Sequence, residues 1–202
     1  MTIATYAALL TEFEAYLERT DYSTRFPTFL RLTESDVQKT INDDPNMFVR
    51  TTATSAGRFT ALPTDFGQMI AVDLGGFGSG KMQAVTAADF TAYDDKSGIP
   101  SVYAIIGNSI ALAPSSTTAT ITMVYKQNIP ALTVAAPTNW LLTKAPEVYL
   151  YGALKQAAAF EWDDARVPLW QAAYADAVET LRIDGERRRW GAAPLAPRLG
   201  RT

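Results

Sequence analysis

The chain has 202 residues, 48% of them apolar and 19% charged, with a formal net charge of −3. That balance builds a core and excludes global disorder. It contains neither cysteine nor histidine, which removes disulfides, thiolate zinc sites, Ser-His-Asp triads and histidine acid–base chemistry, and leaves any catalysis to carboxylates, Lys, Tyr or an oxygen-bound metal.

Residues 4–19 place Tyr6, Leu9, Leu10, Phe13 and Leu17 on one helical face. This start carries Glu12, Glu14 and Glu18 and no basic leader, so it reads as a helix rather than a signal peptide. A second helix is expected over 25–42, with Phe26, Phe29, Leu30, Val37 and Ile41 on one side and Pro27 in its first turn. From 47 to 126 short β-rich runs follow one another: MFVRTTAT, GRFTAL, QMIAVDL, KMQAV, SVYAIIG, SIALAP and ATITMVYK. Gly107-Asn108 is a tight-turn signal, and Thr86-Ala-Ala-Asp89 caps one helical turn. After a Pro- and Ala-rich loop (129–139), helices return over 144–164, apolar nearly all round, and 165–189, with a stripe of Val167, Trp170, Tyr174, Val178 and Leu181. No apolar run reaches membrane-spanning length.

The expected architecture is α+β: a helical bundle of two N-terminal and two C-terminal helices, an inserted antiparallel β-domain, and an extended C-terminal tail. The divisions fall at 1–46, 47–128, 129–189 and 190–202.

Residues 73–82, DLGGFGSGKM, contain Gly75-x-x-x-x-Gly80-Lys81, close to a phosphate-cradling loop. Met82 replaces the Ser or Thr that holds magnesium, and KMQAV leaves no room for the required helix. A hairpin loop is the better reading, with Gly75, Gly76, Phe77 and Gly78 as a candidate partner-contact loop. The pairs Asp43-Asp44, Asp94-Asp95 and Asp163-Asp164 sit where elements end and read as caps and turns rather than metal ligands. No catalytic residue, metal site or cofactor is assigned.

The last 21 residues, 182–202, hold six arginines against two acids on an otherwise acidic chain. Arg187-Arg188-Arg189-Trp190 cannot all face one side of a helix. With Leu195, Arg198, Leu199 and Arg201 they form a candidate contact site for an acidic surface.

Three stretches together resemble the head-to-tail adaptor (connector) proteins of tailed bacteriophages: LPTDFGQMIAVDL (62–74), GIPSVYAIIGNSIALAP (98–114) and NWLLTKAPEVYLYGALKQAAAFEWDDARVPLWQAAYADAVETL (139–181). The resemblance implies a structural virion protein of the neck, between head and tail, and no enzyme. Its implied partners are the portal protein, neighbouring adaptor subunits in a homo-oligomeric ring of twelve on the portal, and a tail or nozzle protein. Genomic DNA would pass through the channel without sequence-specific binding, with no membrane involved and assembly in the host cytoplasm. On this reading Arg187, Arg188, Arg189, Arg198 and Arg201 pair with portal carboxylates while Trp190, Leu195 and Leu199 fill apolar pockets, and the free chain is a monomer whose tail orders on binding. Two alternatives stay open: a connector or stopper of a long-tailed phage, and a glycan- or receptor-binding β-module using Tyr93, Tyr103 and Tyr125 as aromatic platforms.

Overall fold

A computed structural model of the chain describes residues 3–41, 44–55, 57–75, 80–93, 98–115, 118–161 and 165–190. The chain divides into two compact units, one of residues 1–46 and 129–202 and one of residues 47–128.

The first unit is helical. Helix α1 (Tyr6–Leu17) begins at Thr5, whose hydroxyl accepts the Ala8 N–H. It buries Tyr6, Leu9, Phe13 and Leu17 at the expected spacing. Helix α2 (Phe26–Thr40) buries Phe26, Phe29, Leu30, Thr33 and Val37. The two meet through Phe13, whose ring lies 4.8 Å from that of Phe26.

Two further helices close this unit. Helix α5 (Pro146–Phe160) follows a short α4 (Trp140–Lys144), which the sequence reading does not anticipate. The Asn139 side chain starts α4 by accepting the Leu142 N–H at 2.8 Å, and Pro146 forces the break before α5. Helix α5 packs against α1, α2 and α6 (Val167–Trp190). Its apolar character on every side is therefore used largely within its own unit.

Two glycines mark close approaches. A Cβ on Gly152 of α5 would stand 2.2 Å from Thr33 Cγ2, so α2 and α5 are in near-backbone contact there. A Cβ on Gly185 of α6 would stand 2.9 Å from Asp44 Oδ2. Glycine inside a helix costs about 1 kcal/mol relative to alanine, and these contacts are the reason it is tolerated.

The loop over 129–139 is pinned along α2. Ile129 N–H donates to Gln38 Oε1 and Leu132 N–H to Glu34 Oε1, each at 2.8 Å. Glu34 also accepts the Tyr149 hydroxyl at 3.0 Å, and that hydroxyl accepts Asn139 Nδ2 at 2.6 Å. Burial raises the Glu34 carboxyl above its ordinary value of 4.5, outweighing the lowering by its two donors. A raised carboxyl binds more protons folded than unfolded between the two pKa values, so its contribution is complete below 4.5 and is lost as pH rises through the folded value. Glu34→Gln keeps an acceptor for both donors but does not titrate. Urea unfolding at stepped pH is therefore expected to show the native chain losing ground to Glu34→Gln from pH 4.5 toward neutrality. A constant difference between the two would refute this.

The second unit is a β-structure of two sheets. In one, β1 (Phe48–Ser55), β7 (Ala119–Gln127) and β3 (Phe66–Leu74) pair antiparallel in the order β1-β7-β3. In the other, the order is β2-β6-β5-β4, built from β2 (Phe59–Ala61), β6 (Ser109–Ala113), β5 (Val102–Ile106) and β4 (Gln83–Ala84). The β4–β5 ladder is parallel, a departure from the antiparallel expectation. Gly107, at φ 59°, turns the β5–β6 hairpin.

Period-2 alternation explains the core of this unit. Tyr103, Ile110, Leu112, Ile121, Met123 and Tyr125 fill the main cluster. The opposite faces of β5 and β6, with Val102, Ala104, Ala111 and Ala113, are covered by Phe90 of the one-turn helix α3 (Ala87–Phe90). Thr86 caps that turn, its hydroxyl accepting the Asp89 N–H at 3.1 Å.

Candidate functional site

The residues that flank the glycine stretch pair antiparallel. Leu74 N–H donates to Gly80 O at 2.8 Å, Met82 N–H to Val72 O at 2.9 Å, and Asp73 and Lys81 form an antiparallel bridge. Gly75, at φ 73°, donates its N–H to Thr120 O at 2.6 Å. Lys81 is thus a ladder residue leading into β4, and no helix follows it to cradle a phosphate. Gly76, Phe77 and Gly78 lie outside the described residues.

The tyrosines offered as aromatic platforms take other positions. Tyr103 and Tyr125 are buried in the main β core, and the Tyr125 hydroxyl donates to Asp65 Oδ1 at 2.9 Å. Burial and that neighbouring carboxylate push the Tyr125 hydroxyl up to about 12. Tyr93 packs against the Phe90 cluster. The glycan-binding alternative loses its platform.

The basic cluster is split by α6. Arg187 is 77% exposed, 3.5 Å from Asp184, and Arg189 is exposed as well. Arg188 turns inward. Its Nη2 lies 3.2 and 3.3 Å from the two oxygens of Asp44, whose side chain is buried. Lys144 Nζ donates to Asp44 Oδ2 at 3.0 Å, and the Asn46 N–H and Nδ2 both donate to Oδ1 at 2.8 Å. One carboxylate therefore ties three segments together: the end of α4, the chain after α2, and the last turns of α6. Earlier on α6, Arg182 pairs with both Glu179 and Glu186.

This clasp is what the sequence reading missed. Asp44 reads there as a turn residue and Arg188 as one of three equivalent contact arginines. The available signal was Gly185, a glycine inside a helix one turn before Arg188, which marks a close approach. Trp190 ends α6, while Leu195, Arg198, Leu199 and Arg201 lie outside the described residues, as do Asp43, Asp94, Asp95, Asp163 and Asp164. Among the described residues no group of three or more Asp or Glu side chains gathers in metal-binding geometry, and no helix is long and apolar enough to cross a membrane.

Chemically, the C-terminal end of α6 is a held and directed cationic tip. Cations are favoured at the negative end of a helix dipole. Arg188 secures the tip to Asp44 and Arg187 is presented outward.

Among curated proteins none matches this chain. A family model described as SU10 adaptor protein matches residues 4–198, nearly the whole length. The chain belongs to the SU10 adaptor protein family and is a bacteriophage head-to-tail adaptor, a structural protein of the virion neck that joins portal and tail components.

Proposed function

We propose that twelve copies of this chain form a ring on the portal, extend its DNA channel, and present the surface to which the tail or nozzle attaches. Assembly takes place in the host cytoplasm, and the genome passes through without sequence-specific contacts. The C-terminal segment docks the ring: Arg187, Arg189, Arg198 and Arg201 meet portal carboxylates, Trp190, Leu195 and Leu199 enter apolar pockets, and Arg188 holds the helix end to Asp44.

The observation that carries this reading is α6. It is an unbroken helix of 24 residues, about 36 Å long at 1.5 Å per residue. It is fixed near its end by Arg188 and Asp44, and it leads directly into the acid-free residues 190–202. A tail emitted from a fixed point loses less freedom on docking than one emitted from a loose end. Many weak contacts around a ring then act together.

The clasp also dictates how to test the tail. A chain ending at Arg189 keeps Arg188 and Gly185, so its fold is expected to be unchanged. On immobilised portal rings this truncation should bind at least about tenfold more weakly than the full chain, roughly 1.4 kcal/mol or more. Arg187→Glu with Arg189→Glu should weaken binding by a similar factor, and more so at low salt. Equal binding by the full and truncated chains would remove the tail from the docking mechanism.

A further inference from the structure

The last turn of α6 is held differently from the rest of the helix. Tyr174, Ala177, Val178 and Leu181 are buried, and the buried stripe ends at Gly185. Beyond it Glu186, Arg187, Arg188 and Arg189 are all exposed. Moving these four side chains uncovers no core, and Gly185, the poorest helix former in the second half of α6, supplies a pivot.

The contacts of Arg188 lead to the point where the chain leaves the helical unit. Its Nη2 lies on both oxygens of Asp44, and its Nη1 lies 3.5 Å from Asn46 Oδ1. Asn46 donates its backbone N–H and its Nδ2 to Asp44 Oδ1. Asp44, Asn46 and Arg188 thus close a ring of three polar contacts. The bond from the Asn46 N–H to the Asp44 side chain, two residues back, is that of an Asx turn. It shapes the single 3-10 turn Pro45–Met47, and β1 starts at the next residue, Phe48. The division between the two units falls inside this turn, between Asn46 and Met47.

The helix tip can let go of this ring. Without Arg188, Lys144 and the two Asn46 donors still hold the buried Asp44 carboxylate, so release leaves no buried charge unpaired, the outcome that would forbid it. Release is nonetheless felt at the turn. Arg188 Nη2 bridges both carboxylate oxygens and fixes the orientation of the group. Once it leaves, the acceptor for both Asn46 donors is free to rotate about its contact with Lys144.

We infer that Asp44 and Asn46 couple the tip of α6 to the entry of β1: an engaged tip firms the turn over 44–48, and a released tip loosens it. The trigger rests on the portal-docking reading. Portal contacts to Arg187 and Arg189 hold the tip in place, favour the state with Arg188 on Asp44, and so order the turn of the same chain. By linkage, a formed turn favours docking by the same factor. The segment leading into the β-unit is then firm once the portal is engaged, which places tail attachment after portal docking.

Amide exchange read by mass spectrometry tests this in the free chain and on portal rings. In the free chain, Arg188→Ala should speed exchange over 44–48 about threefold or more, and Asn46→Ala should speed exchange over 186–190 by a like factor, with α5 unchanged in both. Loading the native chain on portal rings should slow exchange over 44–48, whereas loading Arg188→Ala, which keeps Arg187, Arg189 and the tail, should not. Unchanged exchange over 44–48 in free Arg188→Ala would overturn the coupling, because the turn would then depend on Asp44 and Lys144 alone. A native chain that loads without slowing exchange over 44–48 would overturn the link to docking. If the native chain fails to load at all, the docking reading fails, and the free-chain comparison decides the coupling by itself.

Discussion

Gly152→Ala is expected to destabilise the helical unit by about 2 kcal/mol, although alanine is the better helix former by about 1 kcal/mol. The new methyl would stand 2.2 Å from Thr33 Cγ2 and 2.8 Å from its Oγ1. Thr33 has no space to retreat into, because it is fully buried and its hydroxyl is bonded to Phe29 O at 2.9 Å. The helices must therefore separate along a packed seam, and interiors at crystal-like density do not absorb such a shift cheaply. Gly152→Leu should cost about 4 kcal/mol or prevent folding. A double-mutant cycle locates the cause: in a Thr33→Ala chain, the further change Gly152→Ala should cost under about 1 kcal/mol, since both offending atoms are gone. Chemical denaturation followed by helical circular dichroism reads all four corners. An equal penalty in both backgrounds would show that the close approach is not what matters at Gly152.

Asp44→Ala should cost about 2 kcal/mol and loosen the last two turns of α6. Removing one partner of a fully buried ion pair costs about 3–5 kcal/mol. Here the cations reach water, with Lys144 and Arg188 partly exposed, so the lower figure applies. Asp44→Asn should cost about half as much, because the amide oxygen still accepts the Asn46 N–H. Hydrogen exchange separates this from general destabilisation: amides over 182–190 should exchange faster in Asp44→Ala while those of α5 keep their protection at matched global stability. Uniform loss of protection would contradict a local clasp. Gly185→Ala should produce a milder version of the same loosening, since its methyl would displace the carboxylate at 2.9 Å.

What the sequence shows and what it hides divides along contact range. The stripe Tyr6, Leu9, Phe13 and Leu17 and the stripe Phe26, Phe29, Leu30 and Val37 are both buried as their spacing demands, because helical periodicity is a local property. Thr86 and Gly107 act where their conformational chemistry places them. The adaptor family was legible from three stretches spread over the chain, and the family match over 4–198 agrees. Helix α4 was missed because five residues give too little periodicity to see. The tyrosine platforms were misjudged because alternation does not tell which face of a strand is covered, and Tyr103 and Tyr125 face the core. Asp44 and Arg188, 144 positions apart, left only the glycine between their elements as a trace.

The measurement that tests the central claim most directly is native mass spectrometry of purified portal rings titrated with the full-length chain. The account predicts loading that saturates at one copy for each of twelve portal subunits, with no further binding at excess. Portal rings that stay bare at saturating chain concentration would contradict it.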